Sequence, residues 1–185
     1  MDSSTLKLKL MIYSSIMASL IAVGAYIAIP VGPVPIVLQN LFVMLAALLL
    51  GGRWGFISVG VYLLAGAFGL PVFAGGTGGL GKFFGPTGGY LVGFALAAWL
   101  IGTISEKGNG RIWVDVLAML IGTVVIYAVG VSWLKVVTGM TVAQAFAVGA
   151  LPFLPGDVIK IAAAASLARA LRPMIAERLM VPRTV

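Results

Sequence analysis

Long uncharged apolar runs alternate along the chain with short segments rich in proline, glycine or charge. Residues 10–29 carry no charge. As a helix they would extend ~30 Å at ~1.5 Å per residue, the depth of a bilayer's hydrocarbon core. The run exceeds the ~7–15-residue core of a signal peptide, and no cleavage site precedes the next apolar run, so a retained first helix is expected. Pro30, Pro33 and Pro35 then break the chain, because proline neither continues a helix nor donates a backbone hydrogen bond. Residues 37–50 follow, ending at Gly51-Gly52-Arg53. At ~21 Å this run is short for a span, so the helix is either tilted or begins below the membrane surface. Further helices are predicted over 54–70, 90–104, 112–137 and 157–171, with a short one, capped by Thr141, reaching Ala150. The expected fold is all-α: one integral membrane domain over 1–185, a bundle of six transmembrane helices.

Six crossings place both termini on one side, and Lys and Arg decide which side that is. The side of the termini collects Lys7, Lys9, Arg53, Lys107, Arg111, Arg169, Arg172, Arg178 and Arg183. The other side holds Lys82 and Lys135, and Lys160 falls within the sixth helix. Both termini are therefore expected in the cytoplasm. Five or seven helices would scatter these charges. The irregular segments 30–36, 70–89 and 138–156 then all lie outside, whereas the inner connections are short and polar. Irregular backbone at membrane depth is tolerated only where protein buries it or it lines a cavity. A site opening outward beneath these loops is the reading favoured over plain connecting loops.

Composition narrows the function. Hydrophobic residues make up 61% of the chain and charged residues 9%, against about 25% charged in soluble domains. That excludes an ordinary soluble enzyme and a disordered protein. The net charge of +7 does not indicate nucleic acid, because the basic residues flank apolar runs and form no patch with interleaved aromatics. With no Cys and no His, thiolate nucleophiles, imidazole relays and zinc hydrolysis are absent, and no metal or cofactor is expected. The stretch Gly75-Gly76-Thr77-Gly78-Gly79 lacks the Gly-Lys-Ser/Thr ending of a phosphate-binding loop, so the chain is not expected to hydrolyse ATP.

Asp157 and Lys160 are the charged residues that most need an explanation. They are spaced i, i+3 and share a helix face. Lys160 lies ~18 Å above Arg172, in the outer half of the membrane. A carboxylate in a first helical turn suits the helix dipole, but an intramembrane ion pair is costly and points to function. Gln39, beside Asn40, either bonds a ligand or stitches helices together. Tyr90 is a ligand contact or an interfacial belt residue. Lys82 either meets headgroups or reaches a ligand, and Phe73, Phe83 and Phe84 either wall a pocket or anchor a loop in lipid. Ser14, Ala18, Ala22 and Ala25 form a small-residue stripe on the first helix, which packs against another helix of the chain or against a partner.

Several motifs in order resemble one known family: Gly69-Leu70-Pro71-Val72-Phe73-Ala74, then Gly78-Gly79-Leu80-Gly81, Gly85-Pro86-Thr87-Gly88-Gly89-Tyr90-Leu91 and Leu154-Pro155-Gly156-Asp157-x-x-Lys160, with Pro33-Val34-Pro35-Ile36 and Gln39 in the first outer loop. Over residues 10–172 the chain is similar to the biotin-specific S components (BioY family) of energy-coupling-factor transporters. The resemblance implies the six-helix S-component bundle in a prokaryotic cytoplasmic membrane and high-affinity biotin binding from outside. It also implies uptake driven by a membrane T subunit and an ATPase pair. It places Ala18 and Ala22 against the T subunit and gives Asp157 and Lys160 the polar contacts to biotin. Biotin's chemistry agrees: Asp157 can accept from a ureido N–H and Lys160 can donate to the ureido oxygen. Gln39, Thr77 and the backbone of the glycine loop, Gly79 included, can complete the polar ring, while Phe73 and Tyr90 cover the bicycle. No Arg stands near the outer face for the valerate carboxylate. The alternative is a self-sufficient secondary biotin carrier, alone or as a homo-oligomer, with Asp157 as its titrating group. Such carriers usually carry repeated halves, and no internal repeat is evident here. An intramembrane enzyme has no nucleophile–base pair to rest on.

Overall fold

The computed structural model describes residues 3–30 and 32–179. Arg183, and the side chain of Arg178, counted above with the side of the termini, lie outside what it describes. Helix α1 (Ser3–Tyr26) leads into a two-residue antiparallel pair, β1 (Ala28–Ile29) with β2 (Ile36–Val37). Helices α2 (Gln39–Ala67), α3 (Gly81–Phe84), α4 (Gly88–Lys107), α5 (Ile112–Thr138), α6 (Val142–Gly149) and α7 (Leu154–Leu179) follow.

Among the described residues five helices are long and apolar enough to cross a membrane, and α2 contributes two crossings. Gly51 sits at φ 79° and ψ 178°, outside helical space, a backbone conformation that glycine adopts without a Cβ penalty. A Cβ added at Gly55 would lie 2.8 Å from the Cα of Ala47. Residues eight apart in a straight helix are separated by ~12 Å, so the chain folds back at Gly51 and its two limbs lie side by side. Gly102 of α4 packs directly on this turn, with no room for a side chain between them. The bundle is thus the six-crossing, all-α fold. Its first descending limb, 39–50, is only ~18 Å long, so Gln39 begins below the level at which a full span would start.

Several helix limits differ from those expected. Helix α1 begins at Ser3 and ends at Tyr26, where the strand pair takes over the segment expected as its last turn. Helix α7 starts at Leu154, because Pro155 in a first turn loses only a hydrogen bond that has no intrahelical partner. It also runs on through Pro173 to Leu179 rather than stopping at 171, since one proline removes a single ladder bond. Thr141 caps α6 with a reciprocal Thr141–Gln144 capping box.

The core lies where α2, α4 and α5 meet, with Met44, Tyr62, Ile101, Met119 and Ile126 almost fully buried. Large apolar residues such as Leu64, Trp99, Leu120 and Val124 face outward, as a lipid-facing surface requires. The stripe on α1 turns mostly inward: Ser14, Ala18 and Ala25 are buried, and Ala18 packs in the chain's own core with Ala22 half-buried at its margin.

Candidate functional site

A cavity of about 480 Å³ opens at the loop-rich end of the bundle, within the size range of small-molecule sites. Three elements close its mouth. The β1–β2 pair holds the proline loop over the first turn of α2, with the Leu38 N–H donating to the Ile27 carbonyl (3.1 Å). Residues 73–77 form a tight reversal, the N–H of Phe73 donating to the Thr77 carbonyl (2.8 Å), with Gly75 and Gly76 at positive φ, which glycine adopts without a Cβ penalty. The Tyr26 hydroxyl donates to the Pro71 carbonyl and ties the first helix to this second loop. Helix α3 then carries Lys82 to the cavity, and Trp133 Nε1 donates to the Gly85 carbonyl (3.0 Å) behind it.

Of the residues singled out in the sequence, Gln39, Phe73, Thr77, Tyr90 and Lys160 line this one cavity, and Lys82 joins them. Phe73 is anchored edge-on between Tyr62 (5.5 Å) and Phe83 (5.8 Å). Its ring fills the space a side chain at Gly66 would occupy. Phe84, by contrast, is exposed. Tyr90 presents its ring, because its hydroxyl already donates to the Gly149 carbonyl (2.8 Å). Thr77 Oγ1 donates to the Ala74 carbonyl (3.0 Å) and keeps acceptor capacity. Gly79 is not part of the lining: its N–H donates to the Gly66 carbonyl (2.7 Å), so it fastens the glycine loop to the end of α2, and Gly78 and Gly81 form the wall instead.

Asp157 and Lys160 are both buried and pair at 3.2 Å. Lys160 faces the cavity, and Asp157 stands behind it. The second carboxylate oxygen of Asp157 accepts from the Tyr127 hydroxyl, which comes across from α5. Each oxygen of Asp157 thus has a donor, while the Lys160 ammonium, with three N–H groups, has spent one. Tyr127 also lines the cavity. It escapes sequence reasoning because a single tyrosine within an apolar span reads as packing; its only signal was a polar tip at mid-span.

Two amides on the first turn of α2 are left incomplete. Gln39 and Asn40 are both buried, at 2% and 9% exposure, and both line the cavity. Gln39 Nε2, Asn40 Oδ1 and the Tyr62 hydroxyl make no well-formed hydrogen bond among the described residues, although the Gln39 amide and the Tyr62 hydroxyl stand close enough to interact with each other. Buried polar atoms are nearly always satisfied, so Gln39 Nε2 and Asn40 Oδ1, both on residues that line the cavity, call for a polar partner inside it.

A second polar centre sits at the opposite end. Asp115 of α5, 2% exposed, accepts from Arg172 of α7 at 2.6 and 3.0 Å and from Ser105 Oγ at 2.6 Å. Arg172 also donates to the carbonyls of Leu48 (3.1 and 3.2 Å) and Gly110 (2.9 Å). Asp115 is thus a buried acidic residue besides Asp157, at the other end of the bundle.

Fold and site together define a polytopic membrane protein with a small-molecule cavity beneath its loop-bearing end, the architecture of a transporter's substrate-binding subunit. The sequence model of the BioY family matches residues 1–177, and the chain belongs to that family. It is 44% identical to a protein named biotin transporter BioY from Thermotoga maritima, over 91% of this chain and 98% of that one. It is 42% identical to a probable biotin transporter BioY from Pyrococcus horikoshii, over 85% and 93% of the two chains. A crystal structure described as the S-component for biotin from an ECF-type ABC transporter superposes with a TM-score of 0.86 at 34% identity, covering 94% of this chain and 95% of that one.

Proposed function

We propose that this protein binds biotin and serves as the substrate-specific subunit of an energy-coupling-factor uptake system. It is a non-catalytic membrane subunit, and ATP hydrolysis belongs to partner ATPases. The single observation that carries the ligand is the set of orphaned and half-used polar groups in one apolar cavity: Gln39 Nε2, Asn40 Oδ1 and the free N–H donors of Lys160. A ureido ring offers one carbonyl acceptor and two N–H donors, so it can engage both the donors and the acceptor of this set. Lys160 or Gln39 donates to the ureido oxygen, Asn40 accepts from one ureido N–H, Thr77 Oγ1 has acceptor capacity for the other, and Asp157 holds Lys160 in place. Phe73 and the ring of Tyr90 cover the thioether bicycle. Lys82 is the cation placed to meet the valerate carboxylate.

In this reading the whole chain acts as one membrane-embedded domain with both termini in the cytoplasm, which supplies the orientation that the Lys and Arg distribution asks for. The T subunit docks along α1. With Ala18 turned inward, Ala22 and the exposed Ile16 and Val23 supply that surface. Action without the module, as a homo-oligomer, remains the runner-up on family grounds. The test of the site is biotin titration of Asp157→Asn and Lys160→Ala in folded protein. Loss of affinity in Lys160→Ala with a smaller loss in Asp157→Asn is expected, and retained affinity in both removes the assignment.

A further inference from the structure

The cationic end of the bundle contains a second cavity, of about 340 Å³, lined among others by Arg111, Arg169, Arg172, Trp113 and Asp115. Its three guanidinium groups meet one carboxylate, and Arg172 already engages that carboxylate through two nitrogens. Among the described residues Arg111 and Arg169 form no ion pair, and both are exposed. The cavity therefore carries an excess of two positive charges. Arg111 is the N-cap of α5 and makes no side-chain cap, so the positive end of that helix adds to the same field. Trp113, a residue type enriched at membrane–water interfaces, lines the cavity and is exposed. From it a stripe of exposed apolar residues runs along one face of α5: Trp113 at 62%, Leu117 at 47%, Leu120 at 48% and Val124 at 66% exposure.

We infer that this cavity binds the headgroup of an anionic glycerophospholipid, with Arg111 and Arg169 on the phosphate and an acyl chain along the Trp113–Val124 stripe. Guanidinium groups pair bidentately with phosphate oxygens. The adjoining apolar track is what separates a lipid from a soluble phosphate. Arg172 is the floor of the site and is spent on the fold.

The test is native mass spectrometry of the purified chain incubated with equimolar phosphatidylglycerol and phosphatidylcholine. The wild type is compared with the Arg111→Gln/Arg169→Gln double variant, whose folding is checked by helical circular dichroism. Each surface cation contributes about fivefold to attraction for anionic lipid, so the pair should give the wild type a roughly thirtyfold preference for phosphatidylglycerol. The double variant should fall to near parity. Undiminished selectivity in the variant, or none in the wild type, overturns the inference. Displacement of the lipid by millimolar inorganic phosphate assigns the cavity to a free anion and overturns it equally. No step of this test depends on biotin.

Discussion

Replacing Gln39 by methionine should move two measurements in opposite directions. Gln39 is 2% exposed, and its Nε2 makes no well-formed hydrogen bond among the described residues, with the Tyr62 hydroxyl near it but poorly aligned. An unsatisfied buried donor costs about 1–3 kcal/mol. Methionine is unbranched, close to glutamine in size and free of that donor, so Gln39→Met relieves the cost in the ligand-free protein. At about 2–4 °C per kcal/mol for a chain of this length, the unfolding midpoint in detergent should rise by a few degrees. Biotin, in the proposed site, relieves the same cost by accepting from Nε2. The variant gives up that gain on binding, and 1–3 kcal/mol corresponds to an affinity lower by roughly 5- to 150-fold. Thermal unfolding without ligand and calorimetric titration with biotin read the two effects on one sample. A midpoint that falls by several degrees would show that Gln39 stitches the helices together, and an unchanged affinity would show that it never meets the ligand. Either result refutes the reasoning.

Tyr127→Phe removes the hydroxyl that donates to Asp157; a hydrogen bond to a charged group is worth about 1.5–3 kcal/mol, so biotin affinity should fall at least about tenfold as the Asp157–Lys160 pair loses its orientation, checked by the same titration. Arg172→Ala strands the buried Asp115 carboxylate, and breaking a buried pair from one side costs about 3–5 kcal/mol, so the unfolding midpoint should drop by roughly 6–20 °C. Gly102→Leu forces the Gly51 turn away from α4 and should destabilise the protein more than Gly60→Leu, where an added Cβ meets nothing within 4 Å; comparative melts decide it.

The sequence displays what is local and hides what is not. Apolar runs, proline breaks and the sidedness of Lys and Arg are properties of neighbouring residues, so crossings and loops could be laid out without coordinates. The turn at Gly51-Gly52 read as a gap between helices, because its tightness depends on Gly102, far along the chain. Lys160 could be singled out because a charge in an apolar helix is conspicuous, and the glycine loop because its composition is. That Asp157 stands behind Lys160, with Tyr127 as its second donor thirty residues away, depends on how α5 faces α7. Gly79 was drawn in by its motif, whereas the fold uses its N–H for a backbone bond and turns Gly78 to the cavity. The Arg172–Asp115 contact joins residues 57 positions apart; Asp115 shows in the sequence as a charge at the start of an apolar run, but its partner in the basic tail does not.

The central claim is that the loop-covered cavity recognises biotin by its ureido ring. Calorimetric titration of the purified protein with biotin, desthiobiotin, thiamine and riboflavin tests it most directly. Tight one-to-one binding is predicted for biotin, with desthiobiotin, which keeps the ureido ring and lacks the thioether ring, binding more weakly, and with no heat from the other two vitamins. A folded sample that ignores biotin, or that binds thiamine or riboflavin in its place, would contradict the claim.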